Sequence, residues 1–134
     1  EKGKGGMAAE GSASYAAREL GQGWKVNPFL VSQPGETLIL ADVKGQGAIK
    51  HFWITDSCSA GRLLILRIYF DGNKNPTVEA PLSDFFANAD YGEYRQLSSL
   101  AICVNPKKGL NCYFEMPYFK SFRIEIENIL KKDY

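Results

Sequence analysis

The sequence predicts an all-β domain, a single jelly-roll sandwich of about eight antiparallel strands with a short N-terminal helix. Two observations support this prediction. Short β-branched and aromatic runs recur from residue 24 onward, and glycine, proline, asparagine and aspartate separate them at intervals of roughly 8 to 15 residues. The length of 134 residues suits one hydrophobic core. We therefore expect one domain over residues 1–134, with the sandwich at 23–134.

Residues 1–22 are predicted to form a glycine-rich loop and a short helix. Four glycines among residues 3–11 indicate a loop with unusual backbone angles. Residues 13–20 are mostly good helix formers and are followed by Gly21, which is a common residue at the end of a helix.

Eight later segments have the pattern of a strand. Alternation is clearest in residues 122–127, where Phe122, Ile124 and Ile126 are expected to face the core and the charged residues to face water. Residues 63–70 are apolar at nearly every position, which is typical of a strand covered on both faces by a second domain or subunit. The eight predicted strands are Lys25–Leu30, Thr37–Ala41, Ala48–Thr55, Leu63–Phe70, Thr77–Ala80, Leu97–Val104, Asn111–Glu115 and Phe122–Asn128.

Three turns are predicted from residue type. Residues 33–36 place Pro34 and Gly35 at the central positions of a type II turn. Residues 71–73, Asp-Gly-Asn, are typical of a hairpin, and residues 105–109 form a longer loop with glycine at its end.

The charge balance argues against two classes of partner. With 16 Lys+Arg and 15 Asp+Glu, the net charge is +1, so no basic excess is present to attract nucleic acid or anionic lipid. No apolar run approaches the roughly 20 residues that a membrane-spanning helix needs. We expect neither a nucleic-acid partner nor a membrane partner.

The cysteines, Cys58, Cys103 and Cys112, are odd in number and lack the C-x-x-C spacing of zinc and redox sites. We therefore expect no metal and no cofactor. A hairpin centred on Lys107 and Lys108 would set Cys103 opposite Cys112, within reach of a disulfide. Two reduced, buried thiols are nevertheless the favoured interpretation, because Cys58 leaves the number of cysteines odd.

Five carboxylates are candidates for acid–base chemistry, although nothing in the sequence pairs them. Asp71 is expected to cap its own turn, Asp84 to stabilise a single helical turn, and Glu93 to be a solvated loop residue. Glu10 and Glu115 remain open between structural and functional roles.

His51 is the one histidine, and alternation places it on the same strand face as Trp53. If this face lines a pocket, Trp53 can stack on a sugar ring and His51 can hydrogen-bond to a hydroxyl group. Residue type alone favours the other interpretation, a core tryptophan beside a hydrogen-bonded structural histidine. Nothing in the sequence places a nucleophile beside His51, so a catalytic triad is not supported.

Five segments of the chain carry a family resemblance: GKGGMAAEG at 3–11, GQGAIKHFWIT at 45–55, LRIYFDG at 66–72, PLSDFF at 81–86 and NCYFEMP at 111–117. Together they resemble glycoside hydrolase family 172, in the same order and with similar spacing across almost the whole chain. The resemblance implies a double jelly roll that assembles as a trimer or hexamer. It also implies hydrolysis, with retention, of α-D-fructofuranosides, difructose dianhydrides or D-arabinofuranosides.

The same resemblance implies site residues within this chain. Glu10, His51, Trp53, Asp84 and Phe85 fall in the matching segments and are expected to approach a sugar pocket at a subunit interface. The two catalytic glutamates of the family belong to its later half, so we expect them beyond residue 134. A non-catalytic carbohydrate-binding module or a capsid-like assembly unit is the alternative function.

Overall fold

The computed structural model describes Tyr15, Glu19 and residues 29–56, 61–88 and 95–131. The chain divides into two units, Glu1–Val31 and Ser32–Tyr134, and every element described below belongs to the second. The predicted glycine-rich loop lies outside the described residues, as does the predicted helix apart from Tyr15 and Glu19. Of the predicted strand at 25–30, Phe29 and Leu30 are described and are not in a strand.

Tyr15 is helical, in agreement with the predicted N-terminal helix. The described residues from 32 onward form ten strands, one 3-10 helix at Gly61–Leu63 and one helical turn, α1, at Leu82–Phe85. No helix in this part of the chain is long and apolar enough to cross a membrane. The strands are β1 Thr37–Lys44, β2 Gly47–Ile49, β3 Phe52–Ile54, β4 Leu64–Phe70, β5 Val78–Pro81, β6 Leu97–Ser98, β7 Ile102–Val104, β8 Leu110–Cys112, β9 Met116–Tyr118 and β10 Ser121–Asn128.

Two four-stranded antiparallel sheets form a sandwich. The first has the order β1-β10-β4-β5, the second has the order β3-β8-β7-β6, and β2 and β9 pair separately. Both sheets contribute to one buried core, in which Leu66, Ile68 and Val104 are fully inaccessible to solvent. Leu82 and Phe86, at either end of α1, are also fully buried and fix this turn against the core. The prediction of an all-β antiparallel sandwich is therefore confirmed.

The number of strands differs from the expected eight because two predicted strands are interrupted. The segment 48–55 changes partner at Lys50 and His51, since β2 pairs with β9 whereas β3 pairs with β8. The segment 97–104 turns back on itself, because Ser99 Oγ accepts a hydrogen bond from the backbone N–H of Ile102 at 2.9 Å. This turn separates β6 from β7. The short strand β9 contains Pro117 and was not predicted.

The predicted turns are present. Gly35 has a φ of 78° and the N–H of Glu36 donates to the carbonyl oxygen of Gln33 at 3.0 Å, as a type II turn requires. Asp71 and Gly72 both have positive φ, and the N–H of Asn73 donates to Phe70 O at 3.0 Å. Residues 105–109 close the β7–β8 hairpin through the N–H of Asn105 and Gly109 O, also at 3.0 Å.

Strand β10 departs from its predicted pattern at one charged residue. Ile124 and Ile126 are buried as expected, but Glu125 is only 9% exposed. Because β10 lies between β1 and β4, side chains of both neighbours cover its outer face. The hydroxyl of Tyr69 donates to Glu125 Oε1 at 2.7 Å, and this bond, with burial, raises the pKa of Tyr69. The expectation that Glu125 faces water was therefore wrong.

The outer face of β4 is polar rather than apolar at its centre. Arg67 donates to Glu79 at 2.5 Å and to Glu127 at 2.7 Å, and these two carboxylates raise the pKa of its guanidinium. From the apolar sequence of residues 63–70, we expected another domain or subunit to cover this face. Charged and aromatic side chains of the neighbouring strands cover much of it instead. Whether this strand takes part in self-association stays a prediction.

The register of the β7–β8 hairpin does not place Cys103 opposite Cys112, as a disulfide between them would require. Cys103 pairs in register with Asn111, and Cys112 pairs with Ile102. This register differs by one residue from the symmetrical one that we expected, and a shift of one residue turns the two thiols to opposite faces of the sheet. Cys103 and Cys112 are both free, as the favoured interpretation expected, but only Cys112 is buried and Cys103 is partly exposed. Cys58 lies outside the described residues.

Candidate functional site

Strand β3 displays His51 and Trp53 on the outer face of the second sheet. Exposed and partly buried residues alternate along residues 51–55, with Phe52 and Ile54 packed against the core. Trp53 is 54% exposed, so the favoured interpretation of a core tryptophan was wrong. The prediction that these two side chains share a face is confirmed.

A buried amide holds His51 in place. Asn111 lies opposite Trp53 in the β3–β8 register, so its side chain points to the same outer face. Its Nδ2 lies 3.3 Å from each of three backbone carbonyl oxygens, those of Cys103, Asn105 and Gly109. Its Oδ1 lies 3.1 Å from His51 Nε2.

This arrangement selects the tautomer of His51. The three carbonyl oxygens can only accept, so the amide nitrogen of Asn111 must face them and the amide oxygen must face the histidine. His51 Nε2 therefore carries the proton and donates it to Asn111 Oδ1. In the neutral ring, Nδ1 is left as an acceptor. The ring also stacks on Tyr113, with centroids 4.5 Å apart and an interplanar angle of 18°.

Beside this pair, an open cleft of about 470 Å³ lies between the end of β3 and the β7–β8 loop. Trp53 Nε1 lies near Gly109, where a β-carbon would approach this nitrogen to 3.1 Å. Glycine at 109 therefore lets the loop pass close to the indole. The described residues that line the cleft are Trp53, Thr55, Pro106, Lys107, Lys108 and Gly109.

The other described site residues lie away from this cleft. Asp84 Oδ2 accepts a hydrogen bond from Arg62 Nη2 at 2.8 Å, across the gap between α1 and the 3-10 helix. Phe85 packs against the core, with its ring 5.9 Å from Phe52 and 5.1 Å from Phe86. Since Phe52 points to the opposite side of β3 from Trp53, the structure does not bring Phe85 to the cleft. Glu10 lies outside the described residues.

The remaining candidate carboxylates have structural partners. Asp71 does not cap its own turn; instead, its Oδ1 accepts N–H groups of Lys120, Phe119 and Ser121 in the β9–β10 turn, at 2.6, 2.8 and 3.3 Å. These bonds, the one from Lys120 above all, lower the pKa of Asp71. Glu115 forms an exposed ion pair with Lys50. Glu93 lies outside the described residues.

Sequence reasoning missed Asn111 and the β7–β8 loop. Asn111 interrupts the apolar strand Leu110–Cys112, and a polar residue at a buried strand position was the signal that could have revealed it. The loop could not be assigned to the site, because its approach to Trp53 depends on the pairing of β8 with β3. Within residues 29–56, 61–88 and 95–131, no three His, Cys, Asp or Glu side chains converge as metal ligands would.

Comparison with known families identifies the chain. The model of the GH172 first β-sandwich domain matches residues 9–134. The chain belongs to glycoside hydrolase family 172. No curated protein matches the chain significantly. For this GH172 domain, the match agrees with the resemblance of the five segments and with the antiparallel sandwich seen in the structure.

Proposed function

We propose that this GH172 domain forms a sugar-binding part of a retaining hydrolase for α-D-fructofuranosides or D-arabinofuranosides. The observation that supports the proposal is the half-exposed Trp53 beside His51, at the edge of a cleft. A large aromatic side chain held on a strand with its ring half open to solvent is a ready surface for stacking. The fixed histidine tautomer gives this surface a directional polar group.

The polar groups around Trp53 suit a polyhydroxyl ligand. His51 Nδ1 can accept a hydrogen bond from a sugar hydroxyl, and the Thr55 hydroxyl and the Trp53 indole N–H can donate one. His51 and Trp53 are two residues apart on one strand, so their Cα atoms are separated by about 7 Å. A furanose ring and its substituents can contact both side chains at this spacing.

The carboxylates of the described residues support a binding role rather than a catalytic one. A glycosidase needs two carboxyl groups about 5 to 10 Å apart, one of them able to donate a proton. No described carboxylate lines the cleft. Asp84 and Glu115 are in ion pairs and Asp71 binds backbone amides. The catalytic glutamates of the complete site are thus expected from outside the described residues, and a purely carbohydrate-binding module is the second candidate.

We also propose jelly-roll connectivity and assembly into a trimer or hexamer. Pairing of the first sheet strand with the last, β1 with β10, is consistent with a jelly roll. Strand β1 forms an edge of its sheet and exposes Ile39, Leu40 and Val43. An apolar sheet edge of this kind favours self-association. Analytical ultracentrifugation tests this: a concentration-dependent trimer supports it, and a monomer at high concentration contradicts it.

Isothermal titration calorimetry with methyl α-D-fructofuranoside and methyl α-D-arabinofuranoside tests the binding proposal. We expect Trp53→Ala to weaken binding about fivefold or more, because stacking on an aromatic ring contributes roughly 1 kcal/mol or more. Phe119→Ala is the matched control, since Phe119 is an aromatic residue that is 79% exposed and does not line the cleft. Equal binding by the two variants would refute the proposal. Release of p-nitrophenol from the corresponding p-nitrophenyl glycosides separates hydrolysis from binding.

A further inference from the structure

The described lining of the cleft beside Trp53 carries basic side chains and no acidic one. The basic residues are Lys107 and Lys108. The rest of the lining is the indole, a proline ring, a glycine and the Thr55 hydroxyl. The excess of basic over acidic side chains is confined to this lining, because the whole chain has a net charge of only +1.

The described carboxylates that form ion pairs are neutralised elsewhere. The pairs are Glu79 and Glu127 with Arg67, Glu115 with Lys50, Asp84 with Arg62, Asp42 with Lys44, and Glu125 with Arg123. Within the same ranges of the chain, no carboxylate lies within ion-pair distance of the exposed Lys107. Its ammonium group therefore contributes positive charge to the cleft that no described acid cancels.

The loop that carries these lysines is held firmly. The N–H of Asn105 donates to Gly109 O, and the N–H of Gly109 donates to Pro106 O, each at 3.0 Å. The amide nitrogen of the buried Asn111 also donates to the carbonyl oxygens of Asn105 and Gly109. Hydrogen bonds at both ends of the loop thus fix the backbone from which Lys107 extends beside the Trp53 ring.

We propose that the Trp53 cleft takes a furanoside that carries an anionic group, a phosphate or a carboxylate. The sugar ring stacks on Trp53, and the anion pairs with Lys107. This inference rests on the proposed function, since it names the class of sugar that the same site prefers. A lysine ammonium suits this role because it is a point charge with three donors and requires no fixed planar geometry of the anion.

Calorimetry with a matched ligand series tests the inference. The series is methyl α-D-arabinofuranoside, its 5-phosphate and its 5-uronate, with inorganic phosphate as the anion without a sugar. At low salt we expect both anionic sugars to bind about tenfold more tightly than the neutral one, as a charge-assisted contact permits. High salt should reduce this preference, because mobile ions screen a charge pair near the surface. The two anionic sugars distinguish phosphate from carboxylate as the favoured group.

Three variants assign the preference to the cleft. Lys107→Ala should bring the anionic and neutral sugars to within about twofold of each other, whereas Lys107→Arg should retain most of the difference. Lys74→Ala removes the same charge from the exposed β4–β5 turn and should leave the preference intact. An unchanged preference in Lys107→Ala would overturn the inference, as would equal binding of all three sugars by the unmodified chain.

The outcomes separate this inference from the proposed function. If the neutral sugar binds and Trp53→Ala weakens it, but charge makes no difference, only the anionic preference fails. If no sugar binds, both fail. If inorganic phosphate binds as tightly as the sugar phosphate, Lys107 belongs to a simple anion site and the stacked-sugar part of the inference is wrong.

Discussion

Replacing Asn111 with alanine tests the network that orients the candidate site. The substitution removes two amide hydrogens that serve three carbonyl oxygens at 3.3 Å, and one oxygen that accepts from His51 at 3.1 Å. A net hydrogen bond contributes about 0.5–1.5 kcal/mol, and long bonds lie at the lower end of this range. Because the site is buried and the carbonyl groups lose their donors, we expect the free energy of unfolding to fall by about 2–3 kcal/mol.

Urea unfolding followed by circular dichroism measures this loss. Asn73→Ala is the matched control, since Asn73 is an exposed residue of the β4–β5 turn and its loss should change stability by less than about 0.5 kcal/mol. A second readout concerns the histidine. Side-chain ¹⁵N shifts above neutral pH should show the Nε2–H tautomer of His51 in the unmodified chain and a mixture in Asn111→Ala. Equal stability of Asn111→Ala and Asn73→Ala, with an unchanged tautomer, would refute the reasoning.

Two further predictions concern titrating side chains. Because backbone N–H groups lower the pKa of Asp71, its contribution to stability is present above about pH 4 and is lost as the pH falls through the lowered value. The free energy of unfolding of Asp71→Asn should therefore fall less in acid than that of the unmodified chain. Urea unfolding from neutral pH to below pH 4 measures both, and an equal fall in the two proteins would contradict this prediction. Burial raises the pKa of Cys112 and shields its thiol, so iodoacetamide should modify Cys103 before Cys112 in the native chain. Peptide mass spectrometry tests this, and modification of Cys112 first would contradict it.

Local sequence patterns predicted the class of fold and the shared face of His51 and Trp53, but not the exposure of Trp53. Period-two alternation depends only on strand geometry, so the shared face of His51 and Trp53 could be read directly from residues 51–55. The turns at 33–36 and 71–73 were also predictable, because Gly35 and Gly72 supply the positive φ values that these turns need.

Features that depend on strand pairing could not be predicted in this way. The burial of Glu125 follows from the position of β10 between β1 and β4, which the alternation of one strand does not reveal. The orientation of Cys103 and Cys112 depends on the β7–β8 register. In the structure Cys103 pairs with Asn111, one residue away from the pairing with Cys112 that a hairpin centred on Lys107 and Lys108 would give. The cleft likewise exists because the pairing of β8 with β3 brings residues 106–109 to Trp53.

The most direct test of the central claim follows the indole N–H signal of Trp53 in ¹H–¹⁵N spectra. The chain has two tryptophans, so Trp53→Phe assigns the signal. As methyl α-D-arabinofuranoside is added, we expect this signal and the amides of Lys107 and Gly109 to shift together and to saturate. Saturable shifts confined to residues outside the cleft, or no shifts at all, would contradict the assignment of the Trp53 cleft as the sugar site.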